Sequence, residues 1–503
     1  MKALRITAVI AGVLLLGACA TQVAPHSKVL GSGNTSVAVA SPTPVKAAAA
    51  SPAPAAVAPA GKRSVAAMSS WTTEQKIESY RRSLYGTRIA DFPPAAYAGK
   101  NVIIIQVESL NAMLVRTKYN GHEVTPNLNK LIKQSWYWTN AYSETGIGNT
   151  ADAEFIVNTS IYAPKGQAAT VKYRDRTMPG LPRVLRGLGY YAFTIHPNKV
   201  TYWNRKQMYW ELGFNRYYDR AFFKGAPFMG EFGASDEELY KRGVPLLTAL
   251  AKKKTPFLSE FISLSSHGPF LAIPESKRPL RTPSELSGSL FGKYMSSESY
   301  SDYALGKFFK SLQTSGLWDK SIIVIYGDHT AMPSNTLSGK NAAGAKKLLG
   351  RAYNPTDRQR IPLIIHLPGE TTGTVLSDTA GQVDIMPTVA DLVGADLSGV
   401  PHAGRSLFQG SSQLVPFNAY LPGGSVANRR VLYMPGHGTL ALPNGAKTSA
   451  NKSDVNDQAL ANRIWNLTDA WVLTLPKFKS GTPGWIPDPV ARAAAAKYGF
   501  PQH

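Results

Sequence analysis

The residues that could do chemistry in this chain stand just after short apolar runs. Glu108 follows NVIIIQV, His196 follows YYAFTI, and His267 comes shortly after FLSEFISL. Asp328 and His329 follow SIIVIYG. Carboxylates and imidazoles bind divalent metal ions, although a single such residue after one strand is more often packed or solvated. Four separate runs that each end in an acid or a histidine predict a metal or phosphate site.

A further candidate, Thr150, stands in the segment TGIGNTADAEF, just before a predicted helix. A purely structural explanation is available, since threonine is an acceptable helix N-cap and Asp152 and Glu154 suit the positive end of a helix dipole. A divalent ion bound to the Thr150 hydroxyl would instead lower its pKa and make it a nucleophile. The two interpretations are compatible, because a helix N-terminus also favours an anionic phosphoryl group.

A metal site built from these residues would take its ligands from Glu108, Thr150, Asp328 and His329. Oxygen and imidazole ligands without a thiolate suit manganese or magnesium, and suit zinc less well. The sequence therefore favours Mn²⁺ as the cofactor, with Mg²⁺ or Zn²⁺ as alternatives.

The segment HPNKVTYWNR supplies groups that could contact a substrate, namely His196, Trp203 and Arg205. An arginine can form a fork on two phosphate oxygens. His267 could hydrogen-bond a phosphate or protonate a leaving alkoxide as a general acid. These four side chains are the candidate substrate contacts.

The elements that must position these residues are predicted to be buried strands separated by helices. The apolar runs lack period-two alternation, which is typical of parallel strands covered on both faces. They occupy residues 101–107, 190–195, 257–264, 321–326 and 361–365. The alternation predicts an α/β fold, a mostly parallel central sheet with helices on both faces. Ligands bind such sheets at the carboxyl ends of the strands, where the candidate residues would meet.

The first 18 residues predict export, because Lys2 and Arg5 precede an apolar run that is too short to span a bilayer. Small residues before Cys19 resemble the bacterial lipobox, which implies cleavage there and lipidation of the sulfur. An ordinary secretory signal with an incidental cysteine is the alternative. Cys19 is the only cysteine, so no disulfide is expected. We therefore expect an exported protein, lipid-anchored to the cell membrane.

Residues 19–70 are predicted to be a disordered Ala/Pro-rich tether behind the lipidated cysteine. Residues 20–70 contain no Phe, Trp or Tyr and no acid, and cannot build a core. The main folded domain is predicted at residues 71–410, and a small C-terminal subdomain at residues 411–503.

The chain carries a net charge of +23. Most of this excess belongs to the folded part, since 49 bases stand against 31 acids after residue 74. A positive field favours anionic partners such as a phospholipid head group or a phosphate polymer, although an exported protein can also be merely basic. Nucleic acid is not expected as a partner, because no recognition motif for it is present.

The order of the motifs resembles the lipoteichoic acid synthase branch of the alkaline phosphatase and sulfatase superfamily. The matching segments run from about residue 100 to about residue 410. They are VIIIQVES, TGIGNTADAEF, HPNKVTYWNR, SSHGPF, IYGDH, IPLIIHLPG and GQVDIMPT. The resemblance implies an alkaline phosphatase-like fold and makes the domain at 71–410 the catalytic one.

Carried to this chain, the resemblance implies that Glu108, Thr150, Asp328 and His329 bind one manganese ion. It further implies that Thr150 holds a phosphoglycerol group covalently. The pocket for the glycerol phosphate would be lined by His196, Trp203, Arg205 and His267.

Three functions are open on this evidence. The first is an extracytoplasmic phosphoglycerol (phosphoethanolamine-type) transferase that uses a phosphatidylglycerol-like donor. The second is a metal-dependent phosphodiesterase or phosphatase, in which water replaces the acceptor. The third is a non-catalytic lipoprotein that binds an anionic polymer.

The chain departs from the family pattern in two places. A predicted lipid anchor and tether stand where the synthases carry transmembrane helices, which suggests an accessory role. Pro333 stands where a polar substrate contact is expected. Sulfatase activity is not expected, because the sequence around Thr150 lacks the C/S-x-P-x-R context that formylglycine formation needs.

Overall fold

The computed structural model describes residues 72–82, 93–229, 232–332, 337–409 and 414–478. The predicted signal peptide, Cys19, the tether and Pro333 lie outside the described residues. Among the helices of the described part, none has the length and apolar character to cross a membrane.

The described residues form fifteen strands and twelve α-helices. The strands are β1 Asn101–Val107, β2 Lys118–Tyr119, β3 His122–Glu123, β4 Trp136–Tyr142, β5 Tyr191–Ile195, β6 Arg216–Tyr218, β7 Phe257–Ile262, β8 Ser321–Gly327, β9 Arg360–His366, β10 Thr374–Gly381, β11 Val415–Pro416, β12 Val426–Ala427, β13 Val431–Met434, β14 Gly438–Ala441 and β15 Ala446–Thr448. The helices are α1 Thr73–Arg82, α2 Pro126–Ile132, α3 Thr150–Thr159, α4 Ala169–Lys172, α5 Leu181–Gly187, α6 Arg205–Leu212, α7 Asp236–Lys252, α8 Leu290–Thr314, α9 Gly339–Leu349, α10 Pro355–Gln359, α11 Ile385–Val393 and α12 Lys452–Val472.

A mixed sheet of eight strands lies at the centre, in the order β10-β4-β9-β8-β1-β7-β5-β6. Within it, β9 pairs antiparallel with both of its neighbours, and every other adjacent pair is parallel. The predicted mostly parallel sheet is therefore confirmed.

The direction of β9 differs from the prediction, which took residues 361–365 as a parallel strand. In the register of β8 with β9, Tyr326 faces Leu363 and Ile323 faces His366. The chain thus enters β9 at the carboxyl end of β8, directly after α10. A buried apolar run looks the same in either direction, so its sequence carries no signal for this. As a result His366 lies toward the opposite edge from the other strand-end residues.

Both faces of the sheet are buried, because the side chains of its central strands alternate between two hydrophobic cores. In β1, Val102 and Ile104 belong to one core, which also includes residues of α3, α5, α6, α11 and α12. Ile103 and Ile105 belong to the other, with residues of α2, α7 and α8. This double coverage explains the continuous apolar runs.

A second, five-stranded antiparallel sheet, β11 to β15, forms the expected small C-terminal part. It joins the central sheet through Tyr142 of β4, whose ring lies edge-on to Phe417 at 5.8 Å. Asn428 links this sheet to α12 by donating to Asp454 at 3.0 Å. Residues 410–413 lie outside the described part, so the boundary at residue 410 stays a prediction.

A buried polar network fastens α3 to α6 and to the sheet. Arg205 Nε donates to Glu154 Oε1 at 2.7 Å, and the Tyr209 hydroxyl donates to Glu154 Oε2 at 2.6 Å. Asn158 on α3 donates to Glu260 Oε2 on β7 at 2.9 Å. The side chains of Arg205 and Glu154 are 2% and 0% exposed. Removal of one member of such an ion pair leaves a buried charge without a partner, which is strongly destabilising.

Gly327, the last residue of β8, allows a close approach that a side chain would prevent. A Cβ atom at this position would lie 1.9 Å from the carbonyl oxygen of Leu110. We expect Gly327→Ala to destabilise the protein by about 1–3 kcal/mol, the usual cost of overpacking. Thermal unfolding followed by circular dichroism would show a lower Tm. Gly187→Ala in α5, where nothing lies within 4 Å, is the control and should keep or slightly raise the Tm, because alanine forms helix more readily than glycine.

Glu260 is expected to make stability depend on pH. Burial first, and the Glu154 carboxylate second, raise its pKa from 4.5 to about 8. Between these values the unfolded chain has lost the Glu260 proton while the folded protein keeps it, so the free energy of unfolding falls as pH rises through this window. Tyr326 also faces the carboxyl, but its pKa is raised well above the ordinary value and it stays neutral there.

The test is Glu260→Gln, which keeps the shape of the side chain and removes its titration. Urea unfolding at pH 5 and pH 8 should show a smaller loss of stability in this variant than in the wild type. Glu123→Gln, at an exposed position, is the control and should retain the wild-type slope. Equal slopes in all three proteins would contradict the assignment.

Candidate metal and nucleophile site

The site begins with two adjacent parallel strands that end together. In the pairing of β1 with β8, Val107 lies opposite Gly327. The next residues, Glu108 and Asp328, therefore leave the sheet side by side, and His329 follows. One ligand atom from each of these three residues lies within 4.8 Å of the others.

Thr150 completes this group of predicted ligands. Its hydroxyl oxygen lies 3.2 Å from Glu108 Oε2 and 3.3 Å from His329 Nε2. His329 Nε2 is in turn 3.3 Å from Glu108 Oε1 and 3.4 Å from Asp328 Oδ2. His329 Nδ1 lies 3.0 Å from the carbonyl oxygen of Thr330, which fixes this nitrogen as the donor and leaves Nε2 for the group. The structure thus brings all four predicted ligands together, and we name them the ligand cluster.

The charges of the ligand cluster favour a cation. Burial raises the pKa of Asp328, and the neighbouring Glu108 carboxylate raises it further. Burial alone would lower the pKa of His329, but Asp328 and Glu108 outweigh it and raise that pKa to about 10. The buried Asp328 Oδ2 has no hydrogen-bond donor within the described residues. Two carboxylates, an imidazole and a hydroxyl fit a hard or borderline divalent ion such as Mn²⁺ or Mg²⁺.

Thr150 is the first residue of α3 and not its N-cap. The cap position belongs to Asn149, whose backbone has φ 45° and ψ −116° and whose side chain makes no capping hydrogen bond. Instead, Asn149 Oδ1 accepts a hydrogen bond from the Tyr420 hydroxyl at 2.5 Å. The N-terminus of α3 lies at the ligand cluster, because Thr150 is both the first residue of this helix and a member of the cluster.

Asp152 organises the loop before Thr150. Its Oδ2 accepts from the backbone N–H groups of Gly146 at 3.0 Å and Gly148 at 2.9 Å, and its Oδ1 accepts from Ala169 at 2.8 Å. A Cβ atom on Gly148 would lie 2.3 Å from Asp152 Oδ1, which explains the small residues of the loop. The acid expected to suit the helix dipole thus has a more specific positioning role.

The residues in or just after the strands of the central sheet that hold the ligand cluster in place were not identified from the sequence. Gln106 Nε2 donates to the backbone oxygen of Thr150 at 3.1 Å, and Gln106 Oε1 accepts from the hydroxyl of Tyr326. Ser263 Oγ accepts from the backbone N–H of Glu108 at 2.8 Å. The available signal was the polar residue within each apolar run, such as the glutamine in NVIIIQV.

The two predicted histidines lie close to the ligand cluster. His196 is buried, with Nδ1 3.0 Å from the carbonyl oxygen of Ile262. Burial first, and the charge of Arg205 second, lower its pKa to about 3, so the ring is neutral. His267 Nδ1 lies 2.8 Å from the carbonyl oxygen of the next residue. Burial alone would raise the pKa of Glu108, but His267 is foremost among the groups that lower it.

The other two predicted substrate contacts, Arg205 and Trp203, make contacts outside the ligand cluster. Within the described residues, the guanidinium of Arg205 donates one hydrogen bond, from Nε to Glu154. Its terminal nitrogens form none there. The ring of Trp203 packs edge-on against Tyr202 at 6.1 Å. Within the described residues, no hydrogen bond or ring contact joins Trp203 to the ligand cluster.

Comparison with known sequences places these features in a family. The profile of the sulfatase family matches residues 100–395. Lipoteichoic acid synthase 2 of Bacillus subtilis is 33% identical over 370 residues, which are 70% of this chain and 54% of that protein. Lipoteichoic acid synthase of Staphylococcus aureus is 36% identical over 328 residues, 63% of this chain and 49% of that protein. The chain thus spans about half the length of the curated relatives it matches.

Solved structures agree with this assignment. The lipoteichoic acid synthase LtaP from Listeria monocytogenes matches with a TM-score of 0.74 and 30% identity, over 81% of this chain and 100% of that one. A protein of the alkaline phosphatase superfamily from Vibrio parahaemolyticus has the same fold, with a TM-score of 0.62 and 22% identity, over 80% of this chain and 97% of that one. The resemblance predicted from the motifs is thereby confirmed: this chain belongs to the sulfatase family of the alkaline phosphatase superfamily, in its lipoteichoic acid synthase-like branch.

Proposed function

We propose that this protein is a metal-dependent enzyme that transfers phosphoglycerol from a phosphatidylglycerol-like donor through Thr150. The observation that supports this most directly is the position of the Thr150 hydroxyl, 3.2 Å from Glu108 and 3.3 Å from His329, at the head of a helix. A hydroxyl between an acid and an imidazole, beside a buried carboxylate oxygen without a donor, suits a metal-activated nucleophile.

Glu108, Thr150, Asp328 and His329 would hold the metal. When bound, Mn²⁺ would lower the pKa of a ligated hydroxyl and polarise a phosphoryl oxygen. Mg²⁺ and Zn²⁺ are the alternatives, and the choice among the three is part of the proposal.

The protein's own groups then account for the transfer. The Thr150 oxygen, whose hydroxyl proton has passed to solvent, forms a bond to phosphorus, and the bond from phosphorus to the diacylglycerol oxygen breaks. Gln106 keeps the head of α3 in place through the Thr150 carbonyl. His267 would protonate the leaving alkoxide through Nε2, since its Nδ1 is directed to a backbone carbonyl. An acceptor hydroxyl then bonds to phosphorus and gives its proton to His267 Nε2, while the bond from phosphorus to the Thr150 oxygen breaks.

Arg205 and His196 would bind the phosphoryl oxygens. Arg205 is held by Glu154 through Nε only, so the two terminal nitrogens remain for a fork on phosphate. His196 is neutral and buried beside it, with Nδ1 already used. Trp203, on the same loop, would contact the glycerol. The excess of bases over acids favours an anionic lipid head group or a glycerol phosphate polymer as partner.

The proposed setting is outside the cytoplasm. We propose lipidation of Cys19, a tether over residues 19–70, a catalytic domain over 71–410 and a subdomain over 411–503. A lipid anchor in place of membrane helices would suit an accessory transferase that primes or modifies a glycan or a lipid.

Loss of the nucleophile is the first test. With Mn²⁺ and fluorescent phosphatidylglycerol, we expect the wild-type full chain to release labelled diacylglycerol. Thr150→Ala should reduce this release by at least about 1,000-fold, because the proposed reaction passes through a bond to this oxygen, which alanine cannot form. Thr314→Ala, at an exposed position on α8, is the control and should behave as the wild type.

The products of the same assay separate the alternatives. Glycerol phosphate attached to an acceptor supports the transferase, and free glycerol phosphate supports the hydrolase. A wild-type protein that binds Mn²⁺ but releases no diacylglycerol would contradict the donor assignment. Binding of a glycerol phosphate polymer without turnover of any phosphoester would favour the non-catalytic lipoprotein.

The metal assignment is tested separately by calorimetric titration with Mn²⁺. We expect Asp328→Asn to bind Mn²⁺ at least about tenfold more weakly, since even outer partners of a metal site typically contribute that much. The rise in Tm on addition of Mn²⁺ should also be smaller. Asp319→Asn, exposed just before the other end of β8, is the control. Equal affinity in both variants would remove Asp328 from the ligand set.

A further inference from the structure

We propose that the loops around Thr150 form a docking surface for an anionic phospholipid bilayer. The surface consists of three exposed apolar side chains, Ile147, Val171 and Tyr202, which we name the apolar rim. The proposal rests on the proposed function, because it explains how a nucleophile in a folded domain reaches a head group in a membrane.

The apolar rim is exposed to an extent unusual for large hydrophobic side chains. Ile147 is 53% exposed, Val171 is 50% exposed and Tyr202 is 47% exposed. Isolated hydrophobic residues on a surface are common and need no explanation. Here, however, the three residues occupy three separate segments that the fold ties together.

Hydrogen bonds of two polar side chains, Asp152 and Asn204, connect the three segments. The Asp152 carboxylate accepts from Gly146 and Gly148, on either side of Ile147, and also from Ala169, two residues before Val171. Asn204 Nδ2, two residues after Tyr202, donates to the backbone oxygen of Thr170 at 3.1 Å. Ile147, Val171 and Tyr202 are thus parts of one surface.

This surface adjoins the nucleophile. Ile147 stands three residues before Thr150, in the loop that Asp152 holds. Tyr202 stands beside Trp203, in the segment that follows the carboxyl end of β5 and leads to Arg205. Contact of the apolar rim with a bilayer would therefore bring the entrance of the site to the level of the lipid head groups.

The charges beside the apolar rim fit an anionic membrane. Lys199 and Lys206 are both exposed on the segment that carries Tyr202. This segment is closed by a hydrogen bond from Lys206 N to Val200 O at 2.9 Å. Acids also adjoin this surface: Asp219 Oδ2 accepts from the backbone N–H of Val200 at 3.2 Å, and Asp469 pairs with Lys172, next to Val171, at 2.6 Å. Apolar side chains flanked by lysines are typical of surfaces that bind the membrane interface.

A lipid surface fits these features better than a protein partner does. A stable protein interface usually buries at least about 1,000 Å² with a packed apolar centre. Three apolar side chains on separate loops provide less than this, but they suffice to enter an interface beside charged head groups. The lipid donor of the proposed reaction gives the site a reason to approach a bilayer.

Single-cysteine labelling can locate the contact, because Cys19 is the only native thiol. In a full chain with Cys19→Ser, Val171→Cys would carry an environment-sensitive fluorophore. Leu188→Cys is the matched control, since Leu188 is 47% exposed but lies between α5 and the amino end of β5, at the opposite edge of the sheet. Labels report local contact, so any binding by the N-terminal segment does not interfere.

On addition of phosphatidylglycerol vesicles, we expect a blue shift of the fluorophore at position 171 and none at position 188. Phosphatidylcholine vesicles should give a smaller shift at position 171. Equal shifts at both positions, or no shift at position 171, would overturn the proposal. This readout does not depend on catalysis, so it remains decisive even if no lipid is turned over.

A second measurement links docking to the reaction. We expect Val171→Asp to lower the ratio of diacylglycerol release from vesicles to release from a short-chain, monomeric phosphatidylglycerol by at least about fivefold. Leu188→Asp should keep the wild-type ratio. An unchanged ratio in Val171→Asp would exclude a role of the apolar rim in reaching membrane substrate. Failure of both substrates with the wild type would instead contradict the proposed function.

Discussion

Two buried carboxylates at the ends of neighbouring strands set the main constraint on this structure. Glu108 and Asp328 leave the sheet side by side because β1 and β8 pair in parallel and end in register. Like charges in a low-dielectric interior raise each other's free energy and require a nearby cation. His329 supplies part of this positive charge. Asp328 Oδ2 accepts no hydrogen bond within the described residues, and a metal ion bound there would supply the rest. The absence of a side chain at Gly327 leaves room for the carbonyl oxygen of Leu110, in the loop that follows β1.

Thr150, the proposed nucleophile, is held in place by residues on three sides. Gln106 holds the Thr150 carbonyl from the sheet, and Asp152 shapes the preceding loop through three backbone N–H groups. Glu154 ties α3 to α6 through Arg205. Arg205 thus has a structural contact and a proposed substrate contact at once, because one edge of a guanidinium can be fixed while the other remains available. If replacement of this arginine lowered the activity, the free energy of unfolding of the variant would also have to be measured, in order to separate the two roles.

The predicted anchor and the apolar rim suit a common arrangement. A tether of some 50 residues behind a lipidated Cys19 would confine the domain near a membrane without fixing its orientation. A docking surface at the entrance of the site would supply that orientation. In the curated relatives, of which the match covers about half, the part outside the match has room for other means of positioning.

The sequence by itself determined the fold class, the family and the strand ends where Glu108, Asp328 and His329 meet. It could do so because buried parallel strands have a recognisable apolar pattern and present their carboxyl ends at one edge. Only the tertiary structure decided that β9 runs antiparallel, that Asn149 and not Thr150 occupies the cap position, and that Arg205 pairs with Glu154. These features depend on which segments become neighbours in space, and a buried apolar run encodes neither its direction nor its partners.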